Sequence, residues 1–227
     1  MLRFFFSLPL LLITAFTYSQ ELSQVAFSGG ATFSSFAFIT DQQIIIKISD
    51  DGKVLEWGNE LQAGRYYNSP GKLQQYMGRV DYYCTEADSI SKGKVKSIGT
   101  CMLTYYGAYE TAEKIGKLKS IGRVSLDYYT NYENSAFKGK LKSAGYTMFS
   151  YYASHENEAF VGKLKSVANT ALAYYSTFDD KLIKGKIKSI GMYNYSWYSS
   201  FDSRQFQGGL KSGTLAQNIN GVVYIIW

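Results

Sequence analysis

From residue 93 onward, apolar and polar positions recur in a fixed unit. The unit opens with GKVKSIG at Gly93, GKLKSIG at Gly116, GKLKSAG at Gly139, GKLKSVA at Gly162 and GKIKSIG at Gly185, and a variant, GGLKSG, begins at Gly208. Twelve residues after each of the first five glycines stands an aromatic pair: Tyr105-Tyr106, Tyr128-Tyr129, Tyr151-Tyr152, Tyr174-Tyr175 and Trp197-Tyr198. The interval from unit to unit is 23 residues, the signature of a tandem repeat. In one unit, alternation assigns Phe137, Gly139, Leu141, Ser143 and Gly145 to one strand face and Lys138, Lys140, Lys142 and Ala144 to the other. Gly145-Tyr146 reads as a tight turn, where glycine supplies a positive φ. The chain then returns with Thr147, Phe149 and Tyr151 on the apolar face and Met148, Ser150 and Tyr152 opposite. The acidic stretch around His155 is the second turn. Each unit is therefore a β-hairpin. A helix is excluded because runs such as Val95-Lys96-Ser97-Ile98 follow period two and β-branched and aromatic residues dominate.

The flanks carry strands of another composition. IIIKISDDG runs into an Asp51-Gly52 hairpin turn, Gly52 to Gly58 copies the opening of a shortened unit, and the chain ends in VVYIIW. Both flanks are strongly apolar, whereas the ends of an open array should be polar. The expectation is that they are covered, most simply by first and last strands approaching each other. The reading is an all-β fold: tandem 23-residue antiparallel β-hairpin repeats curling into a shallow closed or nearly closed barrel, with an open β-hairpin solenoid as the alternative. Residues 1–19 are expected to be a removed leader, 20–51 strands that close or cap the array, 52–213 the repeats and 214–227 a terminal strand.

Arg3 followed by the apolar residues 4–16 and a Thr17-Tyr18-Ser19 cleavage site has the form of a secretory signal peptide, too short to span a bilayer. Its removal takes one positive charge from a chain of net charge +6. That mild basicity favours anionic partners without demanding them. Twenty-one tyrosines and fourteen phenylalanines against two prolines argue for an ordered core. The expected location is the periplasm, the outer-membrane surface or the extracellular space.

The F-x-G strand openings Phe137-Lys138-Gly139 and Phe160-Val161-Gly162 resemble the MORN repeat. They depart from it in having Leu141 and Leu164 where MORN units carry an aromatic, and in the paired tyrosines. The G-K-L-K-S-I-G string and the tyrosine pair look closer to the bacterial β-flower proteins, over residues 52–212. That resemblance implies hairpins radiating around a shallow barrel and carries no activity with it. The MORN likeness implies membrane or scaffold association.

Two lysines recur in each unit: Lys94 and Lys96, Lys117 and Lys119, Lys140 and Lys142, Lys163 and Lys165, Lys186 and Lys188. By parity they share a face with Tyr106, Tyr129, Tyr152, Tyr175 and Tyr198. Such a surface offers charge and flat amphipathic contact to an anionic glycan, lipid headgroups or an envelope protein. The plainer reading is that the lysines keep the outside soluble and discourage edge pairing. Acids gather in the second turns, at Glu110, Glu113, Glu133, Glu156, Glu158, Asp179, Asp180 and Asp202, without a D-x-D-x-D calcium ladder. His155 is the only histidine, which nearly excludes a serine triad or zinc site. Gly93-Lys94 and its copies lack the phosphate-loop pattern, and nucleic acid does not fit an exported chain of modest charge. Cys84 and Cys101 are placed on the apolar side of returning strands, one strand apart and too distant to bridge, so free buried thiols are expected. No catalytic residue, metal or cofactor is expected. The function read from the sequence is an exported, non-enzymatic structural or binding protein, with an outer-membrane β-barrel as the alternative and an enzyme behind both.

Overall fold

The computed structural model describes residues 21–61, 71–84 and 88–227; the expected leader lies outside them. The apolar flank before the repeats forms β1 (Glu21–Ser28), β2 (Thr32–Ile39), β3 (Ile44–Ile48), β4 (Val54–Glu60) and β5 (Leu73–Gln75). The array follows as a meander of short strands: β6 (Val80–Tyr82), β7 (Val95–Ile98), β8 (Cys101–Tyr105), β9 (Leu118–Ile121), β10 (Val124–Tyr128), β11 (Leu141–Ala144) and β12 (Thr147–Tyr151). It continues through β13 (Leu164–Val167), β14 (Thr170–Tyr174), β15 (Ile187–Ile190) and β16 (Tyr193–Asn194). β17 (Ser196–Trp197) and β18 (Leu210–Ser212) pair separately, and β19 (Ala216–Ile219) and β20 (Val222–Ile226) end the chain.

The chain is all-β, but among the described residues no closed barrel forms. β6 to β16 make one open eleven-stranded sheet in sequence order, while β19-β20-β1-β2-β3-β4-β5 make a second sheet of seven. First and last strands do meet: β1 pairs with β20 in parallel, with Val25 opposite Tyr224. They do so in this second sheet, not by curling of the array. Val54–Glu60, expected to open a shortened repeat, also belongs to the seven-stranded sheet, paired with β3.

The two sheets share one core. Phe36, Phe38, Ile44, Ile46 and Ile48 alternate onto the face that meets the array, while Ala37 and Ile45 point away and form a small separate cluster with Leu73. From the array come Leu118, Leu141, Leu164, Ile187, Phe149 and Tyr128. The Phe36 and Phe149 rings lie 4.6 Å apart across the boundary. The hairpin turns of the seven-stranded sheet supply backbone acceptors there. The Asp50 carbonyl accepts from the Leu141 amide at 2.7 Å, and the Gly30 carbonyl from the Ile187 amide at 2.7 Å. Close approach makes glycine necessary in these turns: a Cβ on Gly52 would lie 2.0 Å from the Tyr128 hydroxyl, and one on Gly30 would lie 2.0 Å from the Trp197 ring.

Strict alternation fails at one point in every repeat. Tyr128 pairs with Leu141 but Asp127 pairs with Ser143, so Lys142 is an extra residue, a β-bulge. The same shift recurs at Lys96, Lys119, Lys165, Lys188 and Lys211. The bulge reverses the parity of everything after it. Ala144, expected beside the lysines, is buried with Leu141, and Ser143 turns outward; Ile98, Ile121, Val167 and Ile190 are buried in the same way.

The tight turns between paired strands place Gly99, Gly122, Gly145 and Gly191 at φ between 54° and 57°, and the equivalent residue of the remaining repeat is Ala168 at φ 46°. An L-residue with a Cβ is strained there. Replacing Ala168 by glycine should therefore stabilise the protein by about 1 kcal/mol, raising Tm by roughly 2–4 °C. A melting curve showing no gain or a loss would refute this account of the turn.

Candidate functional site

The bulge divides the two lysines of each unit. The first row, Lys94, Lys117, Lys140, Lys163 and Lys186, turns inward and is half-buried. Each Nζ donates to the carbonyl of the glycine that opens the next repeat: Lys94 to Gly116, Lys117 to Gly139, Lys140 to Gly162 at 2.8 Å, Lys163 to Gly185 and Lys186 to Gly208. Each also stands over the first aromatic of its own repeat, at 4.3 Å for Lys186 over Trp197 and up to 5.3 Å for Lys140 over Tyr151 and Lys163 over Tyr174. This row meets the turns of the other sheet. Lys140 pairs with Asp50 at 2.9 Å, Lys163 donates to the Ala31 carbonyl at 2.8 Å and Lys186 to that of Gly29 at 3.1 Å. Burial holds the Lys94, Lys117, Lys163 and Lys186 ammonium groups below their ordinary pKa, because desolvation disfavours the charged form.

The second row, Lys96, Lys119, Lys142, Lys165 and Lys188, lies outside, each over the second tyrosine of the preceding aromatic pair. Examples are Lys142 over Tyr129 at 5.4 Å, Lys165 over Tyr152 at 5.1 Å and Lys188 over Tyr175 at 5.7 Å. Lys119 covers Tyr106 and Lys96 covers Tyr83 in the same manner. Those tyrosines clamp one repeat to the next. Tyr106 donates to the Leu126 carbonyl at 2.7 Å, Tyr129 to Phe149 and Tyr152 to Leu172 at 2.8 Å, and Tyr175 to Tyr195 at 3.0 Å. Tyr198, in the last repeat, stacks on Phe206. Sequence parity thus placed all fifteen Lys/Tyr positions on one face, whereas the structure brings only the second lysines and second tyrosines together there.

The second turns form a rim of loops laced to one another. In the last four of the five, a carboxylate four residues after the second tyrosine accepts from a backbone amide at the start of the loop: Glu133 from Thr130, Glu156 from Ala153, Asp179 from Ser176 and Asp202 from Ser199, at 2.6–2.7 Å. The second lysines bind several of the same carboxylates, Lys142 to Glu133 and Lys165 to Glu156 at 2.9 Å and Lys211 to Asp202 at 3.1 Å. The next residue reaches the following loop. Asn134 bonds Ser154, Asn157 bonds Thr177 and Asp180 bonds Ser200. Between these anchored groups stand Tyr109, Tyr132, Phe178 and Phe201, between 88 and 104 % exposed, with exposed His155 in the equivalent place of the middle repeat. The 23-residue recurrence of this row is present in the sequence, but alternation does not extend into the loops, so patterning alone gives these rings no face and only the structure shows them exposed.

Other candidates are weaker. A cavity of about 770 Å³ opens on the far face of the seven-stranded sheet, lined by Gln24, Ala26, Lys47, Glu56, Leu215 and Trp227, with Lys47 bound to Glu56 at 2.9 Å. Cys84 and Cys101 are both free; Cys101 is buried as expected, but Cys84 is exposed, since it lies beyond the end of β6. Burial pushes the Cys101 thiol up to about 11, which leaves it protonated near neutrality. Among the described residues no group of three or more His, Cys, Asp or Glu is placed to hold a metal ion.

The arrangement defines an all-β repeat protein whose hairpin array packs against a second sheet. Comparison with protein-family models, curated proteins and solved structures finds no match for the chain.

Two tests follow from this geometry. The Tyr174 hydroxyl is buried and donates to the Leu164 carbonyl at 2.9 Å, whereas the equally buried Tyr151 hydroxyl has no partner. Tyr174→Phe should cost about 1 kcal/mol in urea unfolding, and Tyr151→Phe should be neutral or stabilising; equal losses would contradict the assignment. Glu133 is held down to about 2 by Lys142 and then by Thr130, and Glu156 is lowered first by Lys165. A depressed carboxylate stabilises the fold fully above its unfolded value, 4.5 for Glu133, and ceases to do so as pH falls through about 2. The Thr130 and Ala153 amide resonances should accordingly move only at acidities beyond ordinary glutamate titration. Movement near pH 4.5 would show that the rim bonds are not made in solution.

Proposed function

We propose that this chain is an exported, non-enzymatic binding protein of the bacterial envelope, in which the hairpin array is a rigid platform and the second-turn rim is its contact surface. The observation that carries this reading is the disposition of the charged groups. The first lysines bind backbone carbonyls, several second lysines bind rim carboxylates, and the rim carboxylates bind their own loops. Groups so engaged are poor candidates for acid-base or nucleophilic chemistry. They are also less available to an anionic glycan or headgroup than a free lysine face would be. On this preorganised surface Tyr109, Tyr132, Phe178 and Phe201 stand almost fully exposed, and aromatic rings are the residue type that most often anchors contacts. Export rests on the leader-like pattern of residues 1–19.

The test has two parts. Expressed with its leader in a Gram-negative host, the chain should appear in the periplasm or the medium and be released by carbonate. The purified mature chain should co-sediment with insoluble envelope material, and a variant carrying Tyr109→Ser, Tyr132→Ser, Phe178→Ser and Phe201→Ser should remain in the supernatant at unchanged Tm. Retention in the cytoplasm, or equal sedimentation of both proteins, would overturn the proposal.

A further inference from the structure

The rim rings form a single file. One aromatic stands at the same place in each of five successive loops, Tyr109, Tyr132, His155, Phe178 and Phe201. Successive loops are separated by two strands of the array, a spacing of about 9–10 Å. The loops touch directly, as the Asn134–Ser154 and Asn157–Thr177 bonds at 3.1 and 3.0 Å require, so the spacing is held by the fold.

On the reading of the rim as the contact surface, we infer that its occupant is a linear, neutral β-1,4-linked polysaccharide lying along the row, one exposed ring stacking on every second sugar. Three observations select this class. A row one ring wide fits a linear chain, not a plane or a globular partner. In an extended β-1,4-linked glycan each sugar is flipped relative to the last, so the same face returns once per disaccharide, a repeat close to the two-strand spacing of the loops. Beside the rings, Glu133, Glu156 and Asp202 are each paired with a lysine, Lys142, Lys165 and Lys211, and loop hydroxyls and amides lie between the rings, a mixed polar setting suited to sugar hydroxyls. A bilayer would need a broad apolar area in place of a single file of rings.

The mature chain would be titrated by calorimetry with cello-oligosaccharides and, separately, with chito-oligosaccharides of two to ten sugars, the two series distinguishing a plain glucan from an N-acetylated one. Affinity should rise with each added disaccharide for at least one series, since each reaches a further ring. The four-ring serine variant should lose at least about tenfold, as expected when several anchoring aromatics are removed. Tyr146→Ser, an equally exposed ring in a tight turn outside the rim, should bind as wild type. No binding in either series, no dependence on length, or equal loss with Tyr146→Ser would overturn the inference, as would ring-dependent binding to phosphatidylcholine vesicles in its place. If ring-dependent co-sedimentation with envelope material survives such a failure, the platform reading stands and only the glycan is excluded.

Discussion

The bulge at the second lysine of each repeat is the constraint from which the rest of the structure follows. Without Lys142 as an extra residue, Leu141 and Ala144 could not both point inward, and the array would present half its apolar side chains to water. A bulge also leaves a backbone amide without a partner in its own ladder. In three repeats the amide at this point, of Leu118, Leu141 and Ile187, is taken by a turn of the seven-stranded sheet. The same local kink separates the two lysines, one aimed at the neighbouring glycine carbonyl and the other at the rim. One irregularity, repeated at constant interval, thus sets core composition, sheet docking and surface charge together.

The repeat length, the all-β character and the inward leucines could be read directly, because period-two patterning and a fixed 23-residue interval are local properties of the chain. The bulge could not be read from alternation, since that rule assumes no inserted residue. Its trace was nevertheless present. Leu141 and Ala144, Leu118 and Ile121, Leu164 and Val167, and Ile187 and Ile190 are apolar pairs three apart, a spacing that a regular strand cannot bury on one side. Gly52 to Gly58 illustrates a different limit. Its resemblance to a repeat opening is real as sequence, yet Val54–Glu60 pairs with β3, because hydrogen-bond partners across a sheet are chosen by tertiary context. The apolar ends lie in a second sheet packed against the array, where the expectation was closure of the array upon itself.

The lysine and tyrosine rows show why recurrence alone does not identify a surface. Side chains that repeat in every unit are those the unit needs to stack, and here each has its own part in stacking. The first lysine and second tyrosine each bind a carbonyl of the next repeat, and the second lysine covers that tyrosine and in three repeats also binds a rim carboxylate. Exposure separates a second kind of recurrence. Tyr132, Phe178 and Phe201 recur just as regularly and contribute little to the core.

A regular row of exposed aromatics is costly in solubility unless a partner covers it, and four of the five loops that bear these rings are held by side-chain bonds within and between them. Ordering a loop on binding normally subtracts from affinity. Here Asn134, Asn157 and Asp180 have already tied the last four loops in series during folding, and Lys138 bound to Glu113 joins the first to them, so ring positions are set before any ligand arrives. Because each repeat contacts chiefly its neighbours, repeat length and ring spacing cannot vary independently: inserting a residue into one rim loop would break its bonds to the loops on either side and interrupt the row at that point. The 23-residue interval is therefore a requirement of stacking that also fixes the spacing of the rings, which is how an array whose charged groups serve its own stability still presents a defined surface.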